Sequence, residues 1–248
     1  MIAFSPVAFF ALFFGANAAQ VRTVNKCPYT VWVGAFGTQY TPENGGWRLN
    51  SGESKTVTTP VNGEWNGRFW GRTDCDTMED ARLVTGDKTE PLCDAAFFDF
   101  LDRCAGLGCK GTTGQTPASL AEITFNGHAG LDYYDVSLVD GYSGGGKYDC
   151  TVAGCSSDLT AFCPAPLAVR AKGRVAGCKS ACEVFQTDAY CCRGAHNTPQ
   201  TCPPSNYSLT VKRACPDAHS YAYDDQTSTF TCRGASGAKG ASYEVQFC

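Results

Sequence analysis

Hydrophobic and polar positions alternate along much of this chain with a period of two, the pattern of strands that bury one face. The stretch from Tyr133 to Val139 shows it well, with Tyr134, Val136 and Leu138 apolar and Asp135 and Ser137 polar between them. Short runs rich in Val, Thr, Tyr and Phe, bounded by turn residues, predict strands over 21–25, 31–36, 53–58, 68–72, 120–125, 132–139, 208–211, 229–231 and 244–247. Helical periodicity is sparse, and only 165–170 and 179–185 predict short helical pieces. With 27 Gly and 12 Pro spread throughout, the fold class expected is all-β, a sandwich or barrel. The first residues break the pattern. Ile2 to Phe14 is mostly Phe, Ala, Leu and Val, followed by Gly15-Ala16-Asn17-Ala18-Ala19. An apolar run before a small-x-small site reads as a signal peptide spanning 1–18. It is too short to cross a hydrocarbon core of about 30 Å comfortably, and no other segment is apolar enough to form an integral membrane span.

Composition adds the compartment. Sixteen of the 248 residues are Cys, an even number, and disulfides persist where the surroundings are oxidising, so the expectation is a secreted, extracellular protein. The formal charge is -4, which excludes the basic face a nucleic-acid partner requires. The 20 Lys and Arg are scattered, so an anionic membrane surface is not indicated either. The cysteines are unevenly placed: Cys27 and Cys248 near the ends, a cluster from Cys75 to Cys109, and ten more from Cys150 to Cys232. Segments that bury little apolar surface are often stapled instead. The organisation expected is a β core from 19–71, 119–149 and 233–248, carrying a small stapled region over 72–118 and a large disulfide-rich loop region over 150–232. Pairing is not fixed by the sequence, except that adjacent Cys191 and Cys192 do not bond each other, because one peptide step spans only about 3.8 Å.

Candidate chemistry narrows quickly. Cys178-x3-Cys182 and Cys104-x4-Cys109 have zinc-like spacing, but in a secreted chain disulfides are the better reading, so no metal and no cofactor are expected. His128, His196 and His219 lie in no nucleophile motif and read as ordinary loop residues. The carboxylates are more informative. Glu122 falls on the strand face opposite Ile123 and Phe125, and Asp135 shares a face with Tyr133 and Ser137. Acids on adjacent strands can converge on a groove, and glycosidic cleavage uses such a pair. From the pattern alone, outward polar residues of half-buried strands are the plainer reading.

Several runs resemble the thaumatin-like proteins: Val24-Asn25-Lys26-Cys27, Phe69-Trp70-Gly71-Arg72-Thr73-Asp74-Cys75, Glu122, Asp135-Val136-Ser137-Leu138-Val139-Asp140-Gly141, and the stretch from Cys215 to Asp225. The sixteen cysteines match the large form of that family. The resemblance implies a flattened β-sandwich with two disulfide-rich loop regions and an acidic cleft. It implies the pairs Cys27–Cys248, Cys75–Cys93, Cys104–Cys109, Cys150–Cys232, Cys155–Cys215, Cys163–Cys178, Cys182–Cys191 and Cys192–Cys202. The family's cleft residues fall here on Arg68, Glu122, Asp135, Asp140 and Asp224, with Asp225 as the alternative to Asp224. The aromatic run Phe97-Phe98-Asp99-Phe100-Leu101 departs from the family pattern.

The function implied is binding of cell-wall β-1,3-glucan by a monomeric, secreted protein. Weak endo-β-1,3-glucanase activity would accompany it, with Glu122 as general acid and Asp135 as base or nucleophile. The alternative is a non-catalytic antifungal glucan-binding module. Inhibition of a digestive enzyme or action on fungal membranes ranks last. Asn206-Tyr207-Ser208 is a glycosylation sequon.

Overall fold

The structure is a computed structural model that describes residues 18–60, 65–73, 117–139, 146–147, 153–171, 173–232 and 242–248. In chain order it contains β1 (Ala18–Asn25), β2 (Val31–Gly37), β3 (Gly46–Leu49), β4 (Ser54–Pro60), β5 (Trp65–Arg72), β6 (Leu120–Phe125), β7 (Asp132–Ser137) and β8 (Gly146–Lys147). There follow β9 (Ala168–Ala171), β10 (Arg174–Cys178), α1 (Ala181–Phe185), α2 (Asp188–Cys191), α3 (Asn206–Ala214), α4 (Asp225–Ser228), β11 (Phe230–Cys232) and β12 (Ser242–Phe247). One sheet has the order β4-β1-β12-β8, a second β11-β7-β6-β5-β2-β3, and β9 pairs with β10 as a separate hairpin. All pairs are antiparallel except β1 with β12.

The two large sheets share one apolar core. Val21, Val57, Tyr243 and Val245 of the first meet Val33, Phe69, Ile123, Phe125, Tyr134 and Val136 of the second. The aromatic rings run continuously through it: Trp65 lies 5.4 Å from Phe125, Phe125 5.3 Å from Tyr243, and Tyr243 5.8 Å from Tyr134, centroid to centroid. Such pairs add directional preference to the area they bury. Two polar links also cross between the sheets. Trp47 Nε1 donates to Thr23 Oγ1 at 3.0 Å. Tyr243 Oη donates to Asp132 Oδ2 at 2.7 Å, while Asp132 Oδ1 accepts from the Asn126 amide at 2.9 Å. Asp132 is fully buried, and a buried carboxylate survives only when its oxygens are bonded in this way. Burial and the neighbouring Asp132 push the Tyr243 hydroxyl pKa far above its ordinary range, so it remains a donor.

The all-β expectation is corrected. The fold is mixed, with discrete α-helices in the cysteine-rich segment. The predicted strand over 208–211 lies inside α3. Ser208-Leu209-Thr210-Val211 alternates like a strand, but Ser205 caps the preceding turn by accepting from the Ser208 amide at 3.1 Å. Lys212 and Arg213 then complement the dipole in the last turn. Ser180 and Thr187 cap α1 and α2 in the same manner. The helical expectation over 165–170 is met only by a 3-10 turn, Ala165–Leu167, that passes directly into β9. Phe185, Tyr190 and Tyr207 pack α1, α2 and α3 together at centroid separations of 5.2 to 5.8 Å.

Disulfides join Cys27 to Cys248, Cys155 to Cys215, Cys163 to Cys178, Cys182 to Cys191 and Cys192 to Cys202. The other three expected pairs, most of the leader, Asp140 and the 97–101 aromatic run fall outside the described residues; Ala18, the leader's last expected residue, opens β1. Among the described residues no helix is long and apolar enough to cross a membrane.

Tyr243→Phe removes one hydroxyl and strands Asp132 Oδ2 in the core. Urea unfolding should show a loss of about 1–3 kcal/mol with an unchanged slope.

Candidate functional site

The core dictates what the opposite face of the larger sheet carries. Side chains alternate along a strand, so burying Phe69, Ile123, Phe125, Tyr134 and Val136 turns Arg68, Glu122 and Asp135 outward. The register then aligns them, because Arg68 pairs with Glu122 and Glu122 pairs with Asp135 across β5, β6 and β7. Arg68 Nη2 stands 3.4 Å from Glu122 Oε1, with both side chains a little over a quarter exposed. Directly opposed residues have Cβ atoms about 4.5–5.5 Å apart, so Glu122 and Asp135 are immediate neighbours. One end of the row rests on an apolar shelf of Phe36, Trp70, Ala118 and Leu120. Gly34 makes that shelf possible: a Cβ there would sit 2.2 Å from the Trp70 ring.

A residue that sequence reasoning dismissed completes the other end. β11 covers the edge of β7 from Asp132 to Tyr134. Beyond it His219 takes over: its amide donates to Val136 O at 2.9 Å and its carbonyl accepts from the Leu138 amide at 3.0 Å. The imidazole therefore lies beside Asp135, with Nδ1 3.0 Å from Asp135 Oδ2 and Nε2 3.2 Å from Asp225 Oδ1. Burial alone would lower the His219 pKa, but the bonds and charges of Asp135 and then Asp225 outweigh it, and the net direction is upward. The row thus reads Arg68, Glu122, Asp135, His219, Asp225. The signal available in the sequence was the position of His219 inside the Cys215–Asp225 stretch.

Asp224 and Asp225 have different tasks. Asp224 Oδ2 accepts from the Ser220 amide at 2.9 Å and its hydroxyl at 2.8 Å, and pairs with Lys212 Nζ at 3.2 Å. Lys212 also donates to Ala218 O and Ser228 Oγ. Asp224 therefore ties the loop carrying His219 to α3. Burial raises its pKa, but the Ser220 bonds and Lys212 more than compensate, and the net direction is downward. Asp225 has a largely exposed side chain and is the aspartate that reaches the row. Asn206 is exposed at the start of α3, while the hydroxyl of Ser208 donates to Ser205 O at 2.9 Å. A cavity of about 310 Å³ adjoins the row's far side, between Leu138, Tyr190, Tyr207 and Tyr221, with the ion pair of Lys179 and Glu183 in its wall.

The chain belongs to the thaumatin family, whose model matches residues 25–248. It is 49% identical to pathogenesis-related protein 5 of Arabidopsis thaliana over 90% of this chain and 87% of that one. It is 45% identical to pathogenesis-related thaumatin-like protein 3.5 of Cryptomeria japonica, covering 94% and 91%. It is 42% identical to a Prunus avium protein named glucan endo-1,3-beta-glucosidase, covering 95% and 93%.

Asp224→Asn should destabilise the protein at neutral pH by about 1–3 kcal/mol. A carboxylate whose pKa is depressed by folding stabilises above its unfolded value of about 3.9, and this is lost as pH falls through the folded value. The gap between parent and variant should therefore close on acidification, measured by urea midpoints from pH 7 downward.

Proposed function

We propose that the protein is secreted, works without a cofactor, and binds β-1,3-glucan of cell walls along the charged row. The observation that carries this reading is the register that sets Arg68, Glu122 and Asp135 side by side, each partly exposed, on the face opposite the core. A glucan is uncharged and rich in hydroxyls. Carboxylates accept from those hydroxyls, a guanidinium donates to them, and charged partners make the stronger hydrogen bonds. Half-buried Tyr133, on the same face as Asp135, adds a ring against which a sugar can lie. Asp140 is assigned to the same groove by the family pattern. The five disulfides among the described residues fit an oxidising compartment, and two of the relatives named above are pathogenesis-related proteins, in keeping with a role in defence against fungi.

A second reading, weak endo-hydrolysis, is favoured by the adjacency of Glu122 and Asp135 and by the name of the Prunus avium relative. Here Glu122 protonates the leaving oxygen and Asp135 acts as base or nucleophile. The distance between the two carboxyl groups with substrate bound would decide the outcome, about 5–5.5 Å for a retaining enzyme and about 6.5–9.5 Å for an inverting one. The ion pair with Arg68 suits a carboxylate more than an acid, so substrate must part Glu122 from Arg68 before it can donate a proton. That requirement fits slow turnover.

The test is retention on insoluble linear β-1,3-glucan together with release of reducing ends, for the parent, Arg68→Ala and Glu122→Gln. Retention should fall about three- to tenfold in Arg68→Ala, the factor of one lost hydrogen bond. Reducing ends released by the parent but not by Glu122→Gln would assign the acid. Retention with no release by either would leave a binding module. No retention of the folded parent would overturn the proposal.

A further inference from the structure

His219 joins two carboxylates that are remote from each other in sequence, Asp135 lying 84 residues before it and Asp225 six residues after it. Both ring nitrogens are engaged, the backbone on either side is bonded to β7, and the side chain is only 12% exposed. We propose that His219 is a positioning residue that fixes the rotamer of Asp135 for the polysaccharide, and that it does so fully only when its imidazole carries both protons. This deepens the glucan-binding reading and rests on it for the choice of ligand.

The chemistry follows from proton count. An imidazolium donates from Nδ1 to Asp135 and from Nε2 to Asp225 at once. Neutral imidazole has one N–H, so one of the two carboxylates must then face a lone pair. Asp225 has a side chain 73% exposed and can turn to water, whereas that of Asp135 is 20% exposed. Deprotonation therefore releases Asp225 first, loosening the start of α4 and the loop that holds His219 over Asp135. The charged groups around the ring are Asp135 on β7, Asp225 on α4, Glu122 and Arg68 behind Asp135 on β6 and β5, and Asp224 with its partner Lys212 on α3. The Thr229 hydroxyl, 3.5 Å from Nε2, is the neutral neighbour. The upward shift of the His219 pKa agrees with this arrangement. The sign follows: the stabilising bonds are complete below the ordinary imidazole value of about 6.5 and are lost as pH rises through the higher folded value.

Two readouts test it. In the first, the His219 imidazole is titrated by NMR in the full mature chain, using His128 and His196 variants for assignment. It should titrate above the ordinary value, and Asp135→Asn or Asp225→Asn should each bring it down. Titration at or below the ordinary value, unmoved by either variant, overturns the proposal whether or not glucan is the ligand. In the second, retention on β-1,3-glucan is followed from pH 5 to 8. The parent should weaken about three- to tenfold across that range, the equivalent of one hydrogen bond. His219→Asn, which keeps a donor at the Nδ1 position but cannot reach Asp225 as Nε2 does and does not titrate, should bind at the parent's weaker, high-pH level with a flat profile. His219→Phe should bind weakly throughout. A parent profile that persists unchanged in His219→Asn contradicts the positioning role. Absence of retention in every protein at every pH removes glucan as the ligand and leaves the imidazole titration to decide the role of His219.

Discussion

The constraint on which the rest depends is the period of two in β5, β6 and β7, locked by the aromatic core beneath them. Phe69, Ile123, Phe125 and Tyr134 are all buried, and a slip of one residue would bring the opposite face, with Arg68, Glu122, Thr124 and Asp135, into the core. The same alternation that builds the core therefore lines up Arg68, Glu122 and Asp135 on the other face. The site is a consequence of packing rather than an addition to it, and rigid strands hold its members more closely than loops would.

Around that sheet the chain solves two further problems. The second sheet must stay over the aromatic core, and the buried bond from Tyr243 to Asp132 makes any sliding between the layers leave a carboxylate oxygen bare. The cysteine-rich segment has little core of its own. Disulfides, capped short helices and the Phe185, Tyr190 and Tyr207 cluster hold it instead. From it, Lys212 and Asp224 project the loop that places His219 against β7.

Much of this was legible in the sequence. In the larger sheet β2, β5, β6, β7 and β11 overlap expected strands, whereas β3, Gly46–Leu49, was missed; the outward faces of Glu122 and Asp135 follow from their distance to Ile123 and Val136. The helices were less legible. Leu209 and Val211 give α3 a strand-like rhythm over four residues, and only the cap at Ser205 resolves the ambiguity. His219 was not legible as a site residue. It lies in no nucleophile motif, and its partner Asp135 is 84 positions away, so it is the parallel bridge to β7 that brings them together. The distinction between Asp224 and Asp225 was hidden for the same reason: it depends on which carboxylate Lys212 and Ser220 claim.

The most direct measurement is an amide-resolved NMR titration of the protein with a linear β-1,3-gluco-oligosaccharide. If the charged row is the binding surface, shifts should concentrate at Arg68, Glu122, Tyr133, Asp135 and His219 and leave the outer face of β1 and β4 unchanged. Shifts confined to that other sheet, or to the cavity beside Tyr207 with none along the row, would contradict the assignment.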